Sequence, residues 1–372
     1  MRKLSSLQII KNISPIDGAD KISVAEILGW KVVVPKEQFK SGDMVVYCEV
    51  DSILPFAQWS EFLRNKNNPD KPIRIRTIRL RSQISQGICF PLSILTKEHH
   101  NDDGSIVGIK LTILESDGYN WKINPPQEGD DVTEWLGITK YEPPVPACLS
   151  GVAKGRFPSF IPRTDECRIQ SVPDVLKRHI DKYFYVSEKC DGCSTTFFIK
   201  DGQFGVCSRN LELKETEDNT LWKVFRHHKW DEKLTKIADV IADISSSKNF
   251  AVQGECIGEG VQGNKYKLKG QDIYLFNIFD IDNQKYLDFK DFIRVAEAIG
   301  AKTVPIVNES FCLAENVANV DTLIDLADSR SKLADVPNEG FVFRPLVEER
   351  DAELGRLSFK AINPIFLLKH NE

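Results

Sequence analysis

Short apolar runs separated by turn residues occupy the chain from residue 5 to about residue 140. Their length suits strands rather than helices, and the separators PIDGAD and KSGD carry the Gly, Pro and Asp that are typical of tight turns. This pattern predicts a small all-β domain, either a sandwich or a closed barrel. The runs are LQIIKNI, ISVAEIL, WKVVVP, DMVVYCEV, IRIRTIRLR and GICFPLSIL.

One of these runs, KPIRIRTIRLR, alternates apolar and cationic residues. Alternate residues of a strand face opposite sides, so the pattern predicts one strand with an apolar face and a cationic face, interrupted or bulged at Thr77. The cationic face is either a solvated surface or a track for a phosphate backbone. The residues that would form this nucleic-acid track are Arg74, Arg76, Arg79 and Arg81.

The second half of the chain mixes helical and strand patterns, which predicts an α+β class with a largely antiparallel sheet. Amphipathic spacing predicts helices from Ser171 to about residue 183, at 219–244, at 289–299 before Gly300, and around 314–332. The strand candidates between them are YFYVSEK, STTFFIK, QFGVCSR, FAVQGEC, DIYLFNIFDI, GFVFRP and RLSFKAI.

The length of 372 residues also favours two domains. Residues 141–162 are rich in Pro and Gly and lack periodicity, which is typical of a linker. We therefore place an all-β domain with its linker at 1–150 and an α+β domain at 151–372.

Composition narrows the class of protein without identifying it. A net charge of −5 shows no overall basicity, although a local positive groove for nucleic acid can be hidden in such a total. The apolar run near the N-terminus is too short for a signal peptide, and no stretch approaches the roughly 20 apolar residues that span a bilayer. We expect an intracellular protein without a membrane partner, with its nine scattered cysteines reduced.

Three familiar motifs are weak here. The pair Cys190 and Cys193 has no second pair that would complete a zinc site, and the strand pattern after it disfavours a thioredoxin-like role. The glycines of Gly258-x-Gly260-x-x-Gly263 are not followed by a helical pattern, so they lack the helix end of a dinucleotide site. No GxxxxGK[ST] sequence occurs.

The sequence SEKCDGCSTTFFIK places Lys189 at a strand end, followed by Asp191 and Gly192 in a tight turn. A lysine with an ordinary pKa near 10.4 is protonated at neutral pH and is a poor nucleophile. It becomes reactive where nearby cations favour the neutral amine. A KxDG sequence alone is more often a surface lysine beside a turn.

Further polar residues recur at the edges of the apolar strands that follow Lys189. Such an ordered set predicts that the side chains line one pocket. They are Arg209 in CSRN, Glu255 in VQGE, Phe276 in IYLFNIFDI, Glu339 in NEGFVFRP and Lys360 in LSFKAIN.

In this order the motifs resemble those of the covalent nucleotidyltransferases, the ATP-dependent polynucleotide ligases and their mRNA-capping relatives. The resemblance implies that Lys189 attacks the nucleotide α-phosphate and that Asp191 orients it. It also implies that Glu339 binds the metal and that Lys360 contacts the α-phosphate. Mg²⁺ or Mn²⁺ is the expected metal, and the carboxylates near it are those of Glu339, Asp191 and Glu255.

The same resemblance implies roles in binding ATP. Arg209 and Glu255 would hold the ribose and the nearby phosphate, and Phe276 would stack on the base. Elementary chemistry agrees, because a ribose hydroxyl suits a carboxylate acceptor and an adenine face suits an aromatic or apolar clamp such as Phe276 with Phe341 or Val342.

The position of the all-β domain indicates the branch of this superfamily. Only twelve residues follow Lys360, which leaves no room for the OB barrel that DNA ligases and capping enzymes carry there. The segment VVVPKEQFKSGDMVVYCEVDSILP instead resembles the N-terminal OB-fold barrel of Deinococcus/Naegleria-type ATP-dependent RNA ligases. IPRTDECRIQS also resembles that branch and implies that Arg168 contacts the outer phosphates. One departure is that Lys360 lacks the second lysine, spaced by one residue, that many phage-type relatives carry.

We therefore predict an ATP-dependent RNA ligase with an N-terminal OB-fold domain and a nucleotidyltransferase domain. It would seal 3'-OH and 5'-phosphate ends through lysyl-AMP and RNA-adenylate, with RNA or an RNA-containing nicked duplex as its partner and no protein partner indicated. The alternatives are a GTP-using capping-type enzyme, a catalytically inactive nucleic-acid-binding relative, and a zinc or dithiol protein using Cys190 and Cys193.

Overall fold

The structure is a computed structural model that describes residues 3–95, 98–100, 106–108, 113–116, 121–124, 126–141 and 152–370. The chain divides into two compact units. Unit 1 comprises Met1–Pro143, Gln170–Val172 and Leu367–Glu372, and unit 2 comprises Pro144–Ile169 and Pro173–Phe366. The predicted domain boundary at residue 150 lies outside the described residues.

Unit 1 consists of short strands, in agreement with the pattern of its apolar runs. In β3 and β4 buried side chains alternate with more exposed ones, and the buried set packs into a core around Trp30 and Tyr47. The strands are β1 Ser5–Ile9, β2 Asn12–Pro15, β3 Ile22–Ile27, β4 Trp30–Pro35, β5 Met44–Cys48, β6 Ser52–Leu54, β7 Ile73–Arg74, β8 Thr77–Leu80, β9 Gln83–Gln86, β10 Ile88–Phe90, β11 Glu98–His100, β12 Ile106–Gly108, β13 Ile113–Ser116, β14 Trp121–Asn124 and β15 Thr139–Lys140.

The prediction of one continuous strand through KPIRIRTIRLR is wrong. Strand β7 pairs with β6, whereas β8 pairs with β9 in a separate sheet. Ile75 and Thr77 are buried, whereas Ile78 and Leu80 are 45% and 40% exposed. The reason is the spacing, because Ile75 and Ile78 are three residues apart and an alternating strand cannot turn both to one face.

Unit 2 contains two large sheets. Eight strands form one sheet in the order β16-β21-β20-β19-β22-β23-β24, with β25 added to β23, and five form the other in the order β17-β30-β27-β18-β26. The pairings are antiparallel except β17–β30 and β23–β25. The strands are β16 Ala153–Arg156, β17 Cys167–Arg168, β18 Tyr183–Glu188, β19 Cys193–Lys200, β20 Gln203–Cys207, β21 Leu211–Leu213, β22 Phe250–Gly258, β23 Gln271–Asp280, β24 Lys285–Tyr286, β25 Lys302–Thr303, β26 Ile306–Cys312, β27 Gly340–Pro345, β28 Arg350–Asp351, β29 Gly355–Arg356 and β30 Phe359–Ile362.

Two strands of unit 2 that have four or more residues lie where no strand was predicted from the sequence. Ala153–Arg156 falls in the predicted linker but pairs with β21, so the linker prediction is wrong for this part. Strand β26 has an exposed polar centre, NES, and its apolar residues lie towards its ends, which hides the usual alternation.

The helices are shorter than predicted. The predicted helix at 219–244 is two helices separated by Lys229, which has a φ of +51°, and α2 begins where the Asn219 side chain accepts hydrogen bonds from two backbone amides. Among the described residues no helix is long and apolar enough to cross a membrane. The helices are α1 Val175–Arg178, α2 Thr220–His227, α3 Trp230–Val240, α4 Phe289–Ala298, α5 Leu313–Asn316, α6 Val320–Ala327 and α7 Pro364–His370.

Helices α2, α3 and α4 cover one face of the eight-stranded sheet. Their apolar side chains join Phe197 of β19 and Val252 of β22 in the largest core cluster. Because side chains alternate along a strand, the neighbouring positions Thr196, Gln253 and Glu255 belong to the opposite face. That face is therefore left for the polar chemistry of unit 2.

Candidate active site

Lys189 directly follows β18, an inner strand of the five-stranded sheet that lies between β27 and β26. The register of β18 against β27 places Ser187 opposite Val342, and the Lys189 amide continues the ladder by donating to the Gly340 carbonyl at 2.8 Å. The lysine is thus held by backbone pairing at the end of a regular strand, as the sequence predicts.

The turn after Lys189 carries the chain from the five-stranded sheet into β19 of the eight-stranded sheet. Gly192 lies so close to β22 that a Cβ would be 2.4 Å from the Ile257 side chain and 2.5 Å from the Cys256 carbonyl. Since a backbone carbonyl cannot move aside cheaply, only glycine fits there. This close approach places the turn beside Glu255, whose Cγ would be 3.0 Å from the same Cβ.

Three carboxylates surround the Lys189 amine. Its Nζ donates to Oε1 of Glu339 at 2.5 Å, and Glu255 and Asp191 attract it electrostatically. Burial alone would lower the pKa of Lys189, but these three carboxylates outweigh it and raise the pKa above its ordinary value. Without a bound cation, Lys189 is therefore an ammonium ion, whereas the sequence had suggested neighbours that favour the neutral amine.

Asp191 has a second cation beside it. Its carboxylate forms an ion pair with Lys265, and its backbone amide donates to the Tyr266 hydroxyl at 2.7 Å. Lys265 and Tyr266 were missed in the sequence, because they lie in an irregular segment that has no strand or helix pattern. Only the tertiary structure brings that segment to the turn.

Glu255 lies on β22, on the sheet face that the helices leave free. Burial raises its pKa to about 8; repulsion from Glu339 and Asp191 acts in the same direction, and attraction to Lys189 and Arg209 opposes it. Arg209 itself is half-exposed and donates to Asp165 at 2.6 Å. Arg209 is thus close enough to Glu255 to attract it electrostatically, but its direct partner is the exposed carboxylate of Asp165.

Phe276 is placed by a β-bulge. Strand β22 pairs Gln253 with Asn277 and Gly254 with Leu275, so that Phe276 is the extra residue of β23. Bulges redirect a side chain, and Phe276 packs against the apolar cluster that contains Cys190 of the KxDG turn. The predicted base-stacking ring therefore lies on the same side of the sheet as the lysine turn.

The remaining predicted residues form a row across the five-stranded sheet. Arg168 is paired with Lys360, Lys360 with Val342, and Val342 with Ser187. Directly paired residues share one face of a sheet, and Lys189 is two residues beyond Ser187 on that face. The fold thus brings Arg168, Lys360 and Val342 to the same side as Lys189.

Beyond this row lie buried ion pairs that the sequence did not reveal. Arg344 donates to Glu166 at 2.9 Å and places its guanidinium 5.5 Å from the centre of the Phe276 ring. Burial would raise the pKa of Glu166, but Arg344 and Arg356 hold it below its usual value. Arg356 also donates from Nε to Glu348 at 2.9 Å.

A cavity of about 470 Å³ adjoins these pairs. Its walls include Cys167 and Ser358 next to the five-stranded sheet, and Phe279 and Tyr286 of the eight-stranded sheet. The cavity therefore lies between the two sheets of unit 2. Clefts of this size, with an apolar wall and convergent polar groups, are typical small-ligand sites.

The residues around Lys189 fit a divalent metal held through few protein ligands. Oε2 of Glu339 is buried without a hydrogen-bond partner, so one carboxylate oxygen is available to a cation. Within the described residues, no group of three or more His, Cys, Asp or Glu side chains forms a ready ligand set. This arrangement suits Mg²⁺ or Mn²⁺, which are bound by one or two carboxylates together with water and phosphate oxygens.

The four predicted nucleic-acid arginines lie in unit 1 and differ in their exposure. Arg74 donates to Asp51 at 2.6 Å, stacks 3.8 Å from the Tyr141 ring centre and is only 15% exposed. Arg76 is half-buried, whereas Arg79 and Arg81 are exposed. Of the four, Arg79 and Arg81 are thus the most accessible, whereas Arg74 is held by its contacts with Asp51 and Tyr141.

The two sheets, the lysine turn and the carboxylates define a covalent nucleotidyltransferase site in a chain that also has a β-stranded N-terminal unit. Family models agree, because an OB-fold domain matches residues 4–92 and an RNA ligase matches residues 182–362. No curated protein matches the chain.

Solved structures of Naegleria gruberi RNA ligase are similar over the whole length. A mutant with AMP and Mn has 35% identity and a TM-score of 0.79, covering 100% of this chain and 99% of that one. A mutant with ATP and Mn has the same identity, TM-score and coverage, and the enzyme with pyrophosphate has 35% identity and a TM-score of 0.78 at the same coverage. The chain belongs to the RNA ligase family, which confirms the predicted family and fold class.

The close fit of Gly192 gives a test of how the turn is built. We expect Gly192→Ala to lower the free energy of unfolding by about 1–3 kcal/mol, because the added methyl overlaps β22. Gly155→Ala is the matched control, since a Cβ there meets nothing within 4 Å. The reduced conformational freedom of alanine in the unfolded chain does not lower stability at such a position. Chemical denaturation of both variants measures the difference, and equal stabilities would contradict the close approach.

The raised pKa of Glu255 is tested by the pH dependence of the free energy of unfolding. Between the ordinary carboxyl pKa and about 8, the folded metal-free protein keeps a proton that the unfolded chain has lost, so the free energy of unfolding falls as pH rises. Glu255→Gln removes this contribution, and we expect its stability to fall less steeply, by up to about 1.4 kcal/mol per pH unit across that window. Urea titrations with EDTA at pH 5–8 measure the slopes. Parallel curves for both proteins would show that Glu255 does not hold the proton.

Proposed function

We propose that this RNA ligase uses ATP and a divalent cation, and that Lys189 is the residue that carries AMP. The observation that supports this assignment is the position of the Lys189 amine. It donates to Glu339, it is attracted by Glu255 and Asp191, and it directly precedes the turn in which only glycine fits at position 192. Such a cluster of perturbed titratable groups in a cleft is typical of a reactive centre.

Adenylation forms one bond and breaks another. The neutral Lys189 amine attacks the α-phosphorus of ATP, a P–N bond forms, the bond from the α-phosphorus to the bridging oxygen breaks, and pyrophosphate leaves with the electron pair. The lysine loses two protons in this step: Glu339, whose Oε1 is 2.5 Å from Nζ, is positioned to accept the first, and the second leaves the nitrogen for pyrophosphate or water as the P–N bond forms. A divalent cation bound by these carboxylates would supply the positive charge that lowers the pKa of Lys189 and shields the phosphate oxygens.

The residues that share a face with Lys189 are placed to hold the nucleotide. Lys360 and Arg168 are adjacent cations on the sheet that carries Lys189, which suits the α-phosphate and the outer phosphates. Glu255 suits a ribose hydroxyl. Phe276 and Val342 offer aromatic and apolar surface to the base, and the Arg344 guanidinium that lies near the Phe276 ring would share this site with it.

RNA is the proposed polynucleotide substrate. AMP passes from Lys189 to the 5'-phosphate of one end, forming a pyrophosphate link and regenerating the amine. The 3'-hydroxyl of the other end then attacks that phosphate, a phosphodiester bond forms, and AMP leaves. Arg76, which is half-buried, and the exposed Arg79 and Arg81 are cations of unit 1 that are available to its backbone.

Label transfer tests the assignment of Lys189. After incubation with α-labelled ATP and Mn²⁺ or Mg²⁺ and then denaturation, we expect label on the wild-type protein and on Lys177→Ala, whose lysine is 85% exposed, and background label on Lys189→Ala. γ-Labelled ATP should leave no label, because the γ-phosphate departs with pyrophosphate. Equal labelling of Lys189→Ala and wild type would reject the assignment, and a preference for GTP would favour capping chemistry instead.

The contribution of the unit 1 arginines is tested by salt dependence. We expect Arg76→Ala/Arg79→Ala to weaken binding of an RNA-containing nicked duplex and to flatten the plot of log affinity against log salt by about 1–2, since each phosphate contact contributes roughly 0.9. The control Lys177→Ala/Lys248→Ala removes two exposed charges from unit 2. If both double variants keep the wild-type slope, these arginines do not contact the backbone.

A further inference from the structure

The connection between β6 and β7 in unit 1, residues 55–72, exposes two aromatic rings. Phe56 is 51% exposed, and Phe62, at 71%, is the most exposed large apolar side chain of the described residues. A single exposed apolar residue is ordinary, whereas two exposed phenylalanines on one connection make it a candidate binding surface. We call residues 55–72 the aromatic loop.

Hydrogen bonds hold the aromatic loop in a defined shape. The buried Ser60 hydroxyl donates to the Pro55 carbonyl at 2.6 Å, and its oxygen accepts from the Ala57 amide at 3.1 Å. Phe56 therefore lies in a turn that the Ser60 side chain closes, and Phe62 follows in the 3-10 turn Glu61–Leu63.

The base of the loop is fixed by aromatic packing. Phe62 meets the buried Phe90 ring edge-on at 6.2 Å, and Trp59 meets the same ring at 5.0 Å. One part of Phe62 is thus anchored while most of its surface stays exposed. A ring positioned in this way loses little side-chain entropy when a ligand stacks on it.

The segment that carries the rings is rich in positive charge. Residues 55–81 contain seven Lys and Arg against two Asp and Glu, in a chain whose net charge is −5. The Arg64 guanidinium lies 4.8 Å from the centre of the Phe56 ring, donates to the Pro69 carbonyl at 2.9 Å and forms a 3.4 Å ion pair with the exposed Glu61, which a phosphate would have to displace or share. Aromatic faces combined with fixed cations match a flexible polyanion whose bases are free to stack.

We propose that the aromatic loop is a binding site for unpaired nucleotides of the RNA substrate. A base stacks on the exposed face of Phe62, a second base contacts Phe56, and Arg64 meets the phosphate between them. This inference rests on the proposed use of RNA and adds to the arginines Arg76 and Arg79 a contact that duplex RNA, with its bases already stacked, cannot make.

An anionic membrane is the other surface that exposed phenylalanines and basic residues could suit. Interfacial binding normally uses an amphipathic helix with a broad apolar face. The aromatic loop has one three-residue 3-10 turn, Glu61–Leu63, of which only Phe62 is largely exposed and apolar. The geometry therefore favours stacking over insertion.

Binding measurements on the full chain test the site. We expect Phe56→Ala/Phe62→Ala to bind a fluorescein-labelled oligouridylate at least about tenfold more weakly than wild type, while its affinity for a blunt RNA duplex of equal length changes by less than about twofold. Stacking releases no counterions, so the salt slope should stay unchanged. Ile244→Ala, which trims a residue that is 48% exposed, is the control for loss of exposed apolar surface.

The shape of the contact is tested by two single variants. Phe62→Trp keeps a π face and should retain oligouridylate binding, whereas Phe62→Leu keeps apolar surface without a π face and should lose it. Retention of binding by Phe62→Leu, or equal oligouridylate affinities for wild type and the double alanine variant, would overturn the proposal. Loss of wild-type binding to anionic phospholipid vesicles in the double variant, with RNA affinity intact, would assign the loop to a membrane instead.

Failure of this inference is distinguishable from failure of the proposed function. Label transfer from ATP to Lys189 is measured separately and involves no polynucleotide. If the wild-type protein takes label and seals RNA, and the aromatic loop variants bind RNA as tightly as it does, only the proposed loop site is rejected. If the wild-type protein takes no label, the adenylation proposal is rejected, and oligouridylate binding still tests the proposed loop site.

Discussion

The interaction on which unit 2 depends is the attraction between the Lys189 ammonium and the carboxyl groups of Glu339, Asp191 and Glu255, of which Glu255 holds a proton of its own below about pH 8. Burial, together with repulsion from Glu339 and Asp191, raises the pKa of Glu255 to about 8, and the charge of Lys189 opposes this rise. The same attraction keeps Lys189 protonated, which is unfavourable for a nucleophile. Reactivity therefore requires other cations that replace the lysine as the partner of these carboxylates. The protonated lysine stabilises the site, whereas the neutral lysine is the reactive form.

This arrangement explains why the site uses two sheets. Lys189 is held by β18 and β27, whereas Glu255 is on β22 of the other sheet, and the turn at Gly192 joins the two at van der Waals distance. Beside them, the buried pairs Arg344–Glu166 and Arg356–Glu348 keep further charges in the cleft. Buried ion pairs are often no more stable than apolar packing. Their presence here is better explained by a polar ligand than by stability.

The sequence predicts those parts of the site that lie at strand ends, because local patterns define both the strand and its polar terminus. Lys189 and Glu339 follow this rule, whereas Lys360 lies within β30, and all three strands occur as expected. Lys265 and Arg344 do not, since their roles arise from contacts across the fold rather than from spacing. In unit 1 the arginine run illustrates the reverse error, where a regular-looking alternation is divided between two strands because Ile75 and Ile78 are three residues apart.

The division of the chain also separates two kinds of interaction. The residues proposed for adenylation all belong to unit 2, whereas the basic segment 55–81 belongs to unit 1. A chain with a net charge of −5 can still bind a polyanion, because screening over about 10 Å makes local charge more important than the total. Charge attracts every phosphate backbone equally, however, and cannot distinguish paired from unpaired strands. Stacking on fixed aromatic rings can, so the proposed preference for unpaired RNA would depend on how rigidly the aromatic loop holds its rings rather than on the charge of unit 1.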